Sequence, residues 1–379
     1  MRTALEIVFW AAGALIVWTQ LGYPFALYIA ARLAGPEAPP AAPPPPRLSL
    51  IVAAHDEAAV IAAKVRNARE LDYPDGLLEV IVACDGCSDR TAELAREAGA
   101  DVVLELPRGG KIRAQDAAVE CARGEIVAFS DANSQWDAAA ALVLTRAFAA
   151  GDVGYACGQV RFEAAADGAD NQEGVYWRYE MAVRAWESRL SSVTAGNGAI
   201  YATRRESYII VDPVMGHDLS LPHAMVKRGL RAIYVPGALA REKMVPTSEG
   251  EFARKRRMMS HTWPILVRGG LLSPRGYPPR YALMVLSHRL LRYLLPFLHL
   301  VVLGANIALV AAGAGVLYDV LLAAQLALLA AAALGGPLHL RPLLIARYYV
   351  LTVASVAAGL WDWLRHGTEA WWEAAEGTR

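Results

Sequence analysis

The sequence of 379 residues predicts an α/β domain held between membrane-spanning helices. Three observations carry that reading. Long uncharged apolar runs stand at both ends of the chain. A proline-rich stretch separates the first run from the rest of the chain. Between Leu48 and about Arg268, short strand-like apolar runs alternate with segments of helical periodicity, as parallel βαβ units do.

The first element is Ile7 to Ala31, which has no charged residue and only Gln20 as a strongly polar one. A helix of that length crosses roughly 30 Å of hydrocarbon. Trp10, Trp18, Tyr23 and Tyr28 lie along it, suited to the interfaces. Arg2 near the start raises the alternative of a signal peptide. The apolar run is too long for one and no small-x-small cleavage site comes after it, so residues 1–34 are expected to stay as an anchor. The stretch GPEAPPAAPPPPR, 35–47, favours an extended spacer without a core. The soluble domain is expected over 48–270.

The region 271–366 predicts about three further spans: Leu294 to Tyr318 with Pro296 inside, Val320 to Leu338, and about Pro342 to Trp363, where Arg347 can snorkel. Arg254, Lys255, Arg256, Arg257, Arg289 and Arg292 crowd the soluble side, and the connector GAGVLYD has no Lys or Arg. By the positive-inside rule the soluble domain faces the cytoplasm, from an inner or plasma membrane. The tail 367–379 is amphipathic and aromatic. An odd number of later spans would put it outside, while its composition suits an interfacial helix inside.

Lys+Arg and Asp+Glu number 37 each, a balance that speaks against nucleic acid as a partner. Four cysteines do not make a disulfide scaffold. Cys84 and Cys87 form a C-x-x-C with no second pair to complete a zinc site, and a reducing compartment weakens a disulfide between them.

Within the soluble domain, strands are expected at 48–54, 78–84, 101–106 and 125–130. Helices are expected at 57–71, from Ser88 or Asp89, and at 110–122. Ligands in such sheets bind outside the carboxyl ends of the strands. Glu57, Asp85 and Asp131 come just after three strand ends, and Lys111 comes after RGG. One such carboxylate is ordinarily a helix cap. Three on one rim beside a lysine suit a nucleoside diphosphate and its cation, with Asp131-Ala-Asn133 offering oxygen ligands. Cys84 and Cys87 then read as pocket wall. Downstream, Gly196-Asn197-Gly198 lets backbone approach a ligand. His217 and Asp218 open a helix, where Asp218 is an N-cap by default and a candidate general base beside an acceptor hydroxyl. The aromatic spacing of Tyr176, Tyr179 and Trp186 suits core or membrane-surface packing, with an acceptor platform as the alternative.

In order, AAHDE, CDGCSD, GGKIRA, SDANS, GNGAIYA, GHDLSLP and EFARKRRMMSHTW resemble the family 2 glycosyltransferases, closest in layout to membrane-embedded exopolysaccharide synthases and their lipid-glycosylating relatives. The motifs span about residues 45–270. The resemblance implies a GT-A type, Rossmann-like mixed sheet with helices on both faces. It also implies a nucleotide-sugar donor (a UDP-sugar by expectation), a lipid or saccharide acceptor, Mg²⁺ or Mn²⁺, and inversion at the anomeric carbon. Asp85 resembles the carboxylate that contacts the nucleoside, with Glu57 beside it and Lys111 near the nucleotide. Asp131 and Asn133 resemble the D-x-D metal element, and Asp218 resembles the base. Arg257 resembles the arginine of Q-x-x-R-W.

Three departures stand out. Asn133 makes the second metal ligand neutral. His217 stands where many relatives have an acid. Arg254 and Met258 replace the Gln and Trp of the processivity motif, and Trp263 lies five residues further on. These favour single-sugar transfer over a processive synthase. Asn133 and His217 also admit an inactive nucleotide-binding partner of an exopolysaccharide complex. A nucleotidyltransferase would need a glycine-rich basic loop, which IVAAHDEAAV lacks. For the basic cluster 254–257, the plainer reading is a helix face against lipid headgroups.

Overall fold

The computed structural model describes residues 1–35, 43–163, 172–243 and 248–370. Most of the proline-rich spacer and most of the 367–379 tail lie outside the described residues.

The helices, in chain order, are α1 (Arg2–Val17), α2 (Tyr23–Leu33), α3 (Ile61–Arg69), α4 (Thr91–Glu97), α5 (Lys111–Cys121), α6 (Ala140–Arg146), α7 (Gln172–Leu190), α8 (His217–Lys227), α9 (Ser248–Val267), α10 (Pro279–Met284), α11 (Leu291–Ala311), α12 (Val316–Leu338) and α13 (Arg341–His366). The strands are β1 (Leu48–Ala54), β2 (Leu78–Asp85), β3 (Val102–Leu106), β4 (Ile126–Asp131), β5 (Gln135–Trp136), β6 (Val153–Glu163), β7 (Tyr201–Arg204) and β8 (Arg231–Lys243).

They form one mixed sheet in the order β3-β2-β1-β4-β7-β6-β8-β5. The first four strands pair in parallel, as the alternating pattern predicts. β7 then runs antiparallel to both β4 and β6. Because β1 lies between β2 and β4, the chain leaves it in opposite directions, and that switch opens a crevice at the carboxyl ends of β1 and β4. Alternate residues of the central strands serve opposite faces. Leu50 and Ala128 pack with α6, while Ile51 and Phe129 pack with α5 and α8.

Four helical runs are long and apolar enough to cross a membrane: Arg2–Leu33, Pro279–Ala311, Val316–Leu338 and Arg341–His366. The first two each contain a π-helical turn, Trp18–Gly22 and Val285–Leu290, and these meet. A π turn displaces backbone partners; here Thr19 Oγ1 donates to the Ser287 carbonyl at 2.8 Å and Trp18 Nε1 to Ser287 Oγ at 3.0 Å. The expected span from Leu294 to Tyr318 ends earlier, at Ala311. Gly313 (φ +65°) and Gly315 (φ +122°) hold a left-handed turn that few other residues would tolerate, and α12 restarts at Val316.

The last helix is held to α9. Arg2 donates to the Ala314 carbonyl at 2.9 Å, so the start of α1 and the turn before α12 share the end remote from the sheet. α12, with 23 residues, is about 35 Å long and returns to the sheet side. α13 also ends there. Asp362 accepts two hydrogen bonds of 2.6 Å from Arg256, and Thr368 Oγ1 donates to the Ser260 carbonyl at 3.0 Å. The carboxyl-terminal end of α13 therefore packs on α9.

Candidate active site

At the end of β2, Asp85 is buried and turned toward the loop before α5. Its carboxylate accepts from the Gly109 amide at 2.6 Å and from the Gly110 amide at 3.0 and 3.1 Å. The Asp85 side chain thus shapes the glycine loop. Gly110 has φ +94°, and its Cα faces the backbone of Ala370, so a side chain there would collide with the returning carboxyl-terminal segment. Glu57 closes the turn into α3. Its carbonyl accepts from the Val60 and Ile61 amides, and its own amide donates to Thr91 Oγ1 at 2.8 Å.

Lys111, the first residue of α5, pairs with Asp131 at the end of β4. A Cβ at Gly198 would stand 3.3 Å from Lys111 Nζ and 3.7 Å from Asp131 Oδ2. The glycine keeps that space open, as a bulky phosphate group would require. The Asn197 side chain is turned into the loop. Its amide donates to the Gly158 carbonyl at 2.7 Å, and its oxygen accepts from the Ala199 and Ile200 amides, which fixes the loop from inside.

Asp218 stands in the first turn of α8. Its carbonyl accepts from the Gly196 amide at 2.6 Å, tying the two glycine-rich loops together. Burial raises its pKa, against the lowering effect of Lys111 and Arg184. A Cβ at Gly216 would come within 2.6 Å of Asp218 Oδ1, so the glycine clears room for the carboxylate. His217 is buried between two phenols: Nδ1 lies 2.8 Å from Tyr201 Oη, and Nε2 lies 3.2 Å from Tyr208 Oη. Burial, helped by Lys111, pushes its pKa down to about 3, so the imidazole is neutral.

Arg257 is half-buried on α9, and one turn on is His261, whose pKa burial lowers, with Arg257 acting in the same direction and Asp218 against it. His261 was legible only as the i+4 neighbour of Arg257. Met258 is 43% exposed, whereas Trp263 is buried and donates to the Val356 carbonyl of α13 at 3.2 Å. Trp263 is a packing residue. The basic cluster is also largely engaged: Lys255 donates to Tyr348 Oη and Thr352 Oγ1 at 2.7 and 3.0 Å, and Arg256 binds Asp362. The reading of these two as a headgroup-facing surface is corrected accordingly; they clamp α9 to α13. On α7, Tyr179 donates to the Gln20 carbonyl at 3.1 Å, and the Trp186 ring lies 5.5 Å from that of Tyr28. Tyr179 packs on the π turn Trp18–Gly22 and Trp186 on α2; the side chain of Tyr176 lies outside the described residues.

All four cysteines are free. Cys87 Sγ lies 3.4 Å from the Ala54 carbonyl, and the hydrogen bond from Cys84 lowers its pKa to about 7. His55, Asp56 and Cys87 bring ligand atoms within 4.8 Å of one another on this side of the crevice.

Two buried charges escaped the sequence reading. Lys64 is fully buried on α3, its ammonium 5.3 Å from the Trp136 ring. Burial lowers its pKa to about 7, against the pull of Asp131 and Glu242. Glu242, on β8, is half-buried as a residue, but its Oε1 is shut off from solvent and has no hydrogen-bond partner among the described residues. Burial and then Asp131 raise its pKa to about 7. A dry carboxylate oxygen whose charge is felt by that of Asp131 fits a cation at the end of β4.

Residues 49–208 match the family model Glycosyl transferase family 2. Over 95 residues the chain is 41% identical to a beta-monoglucosyldiacylglycerol synthase of Trichormus variabilis and 39% identical to one of Nostoc sp.. Those stretches cover 23% of this chain and 20% of each relative, so the chain matches about a fifth of the length of these curated proteins. The mannosyltransferase PcManGT from Pyrobaculum calidifontis, in complex with GDP-Man and Mn²⁺, superposes with a TM-score of 0.74 at 25% identity, covering 95% of this chain and 99% of that one.

Proposed function

The chain belongs to the family 2 glycosyltransferases, and from that premise we propose that it transfers one sugar from a nucleotide-diphosphate sugar to a membrane lipid. The observation that carries the reading is that one glycine-rich loop joins the two sets of groups: Gly198 stands open beside Lys111 and Asp131, and Gly196 is tied to Asp218. The curated relatives are glycolipid synthases, and the full-length structural relative holds a nucleotide sugar with Mn²⁺.

A divalent cation held by Asp131 and Asn133 would offset charge on the leaving diphosphate. Lys111 adds a second positive charge at the same place. Asp218 takes the proton of the acceptor hydroxyl as its oxygen bonds to the anomeric carbon. The bond from that carbon to the diphosphate breaks, and the nucleoside diphosphate leaves with the electron pair. Attack opposite the leaving group inverts the anomeric centre. Met258 offers no flat ring on which a growing chain could stack, which favours single addition.

The helices suit this role. We place α1–α2, α10–α11 and α12 across the bilayer and α13 in the interface on the catalytic side, with that side in the cytoplasm by the positive-inside rule.

The test is incubation of the purified protein in native lipid extract with Mn²⁺ or Mg²⁺ and a panel of UDP- and GDP-sugars, with products read by mass spectrometry. One sugar mass added to a lipid is the expected result. A ladder of sugar masses would make the enzyme processive. Asp218→Asn should lower turnover by about 10²–10⁴-fold while donor affinity stays; undiminished turnover would remove Asp218 as the base.

A further inference from the structure

We propose that Glu242 supplies the second carboxylate of the divalent-cation site, the charge that Asn133 does not provide. The inference rests on the reading of Asp131 as a cation ligand.

The register of the sheet brings the residues together. β5 pairs antiparallel with β8, setting Gln135 opposite Arg241. The next residue of β8 is Glu242, and the residues before Gln135 form the turn from Asp131 to Ser134, closed by the Ser134 amide donating to the Asp131 carbonyl at 3.2 Å. One step along the ladder therefore carries Glu242 to the turn that presents Asp131 and Asn133.

Glu242 has one carboxylate oxygen, Oε1, that is cut off from water and left without a hydrogen bond among the described residues. Buried carboxylates are ordinarily paired, hydrogen-bonded or bound to metal. Asp131 raises the pKa of Glu242, and Lys111, Arg254 and Lys64 act on it through their charge. Of these, Lys64 is the fully buried cation, yet its ammonium forms neither an ion pair nor a hydrogen bond among the described residues. Two carboxylates and an amide oxygen make an oxygen-rich set of the kind that Mn²⁺ and Mg²⁺ take.

The experiment uses the full chain in detergent, with free Mn²⁺ followed by electron paramagnetic resonance, with and without UDP or GDP. Glu242→Gln should weaken Mn²⁺ binding by about tenfold or more, as loss of a ligand charge does, and Asn133→Asp added to it should restore binding. Thermal unfolding in EDTA controls for the fold: Glu242→Gln should melt no lower than the parent, since it removes a buried charge. The proposal is overturned if Glu242→Gln binds Mn²⁺ as the parent does while Asp131→Asn does not. If Asp131→Asn also binds normally, the cation reading of the whole site falls with it.

Discussion

His217 stands where the resemblance to the family implied an acid, and its surroundings suit a neutral imidazole. Two phenols take both ring nitrogens, and the imidazole stays neutral. Its folded pKa lies below the ordinary value, so the associated stability is present above about pH 6.5 and is lost as pH falls toward 3. The melting temperature should therefore drop on acidification below pH 6.5, and less steeply in His217→Gln, as scanning fluorimetry in detergent would record. Asp218 has the opposite consequence. Its raised pKa means that the carboxyl keeps its proton at pH values where an ordinary aspartate has lost it. The acid limb of kcat/KM should lie above the usual aspartate value of about 3.9, with activity rising as pH climbs. Cys87, with a pKa near 7 and partial exposure, should be alkylated by iodoacetamide at neutral pH faster than Cys84, and a bound donor should slow the reaction. Lys64 was legible in principle. Ile61, Lys64, Val65 and Ala68 occupy one buried helical face, and a lysine on such a face is an anomaly the pattern displays. Glu242 gave no such signal, because a charged residue at a strand end is ordinary.

At the scale of elements, local pattern and long-range pairing separate what sequence could show. β1 to β4 match the apolar runs, and β1 spans the expected 48–54, because buried parallel strands are continuous apolar segments. β5 has two residues, and β8 is a long, partly exposed strand whose pairing with β6 has register shifts; neither keeps a simple period. The Val193–Gly196 loop shows what pairing adds. Thr194 Oγ1 accepts from Arg289 Nε at 2.8 Å and donates to Glu187 Oε2 at 3.0 Å, while Glu187 is bonded to Tyr23 of α2 and to His288. Residues of α7, α2 and the π turn before α11 thereby hold the loop whose Gly196 amide reaches Asp218. Thr194→Val should leave donor affinity near the parent value and lower kcat, measured by isothermal titration and by initial rates, since it loosens the base's loop without touching the donor side. Gly216→Ala should act in the same direction, because its methyl group meets the Asp218 carboxylate.

For the whole molecule, motif order made the family legible, and hydropathy made the helical frame legible. The direction of α13 was not, because Arg341–His366 has the length and apolarity of a span. Only its partners, Arg256 and Ser260 on α9, place its far end. A thiol-reactive, membrane-impermeant probe should reach a cysteine placed at Gly367 only from the side that also exposes the catalytic domain; labelling from the opposite face would make α13 a true crossing. The loop anchored by Thr194 has a further consequence. Its bolts, Tyr23, His288 and Arg289, sit in helical runs long and apolar enough to cross a membrane, and spanning helices change tilt when the hydrocarbon is too thick or too thin for them. Acyl-chain length then becomes a kinetic variable: turnover in proteoliposomes should peak at one bilayer thickness and fall on both sides of it, with donor affinity unchanged throughout.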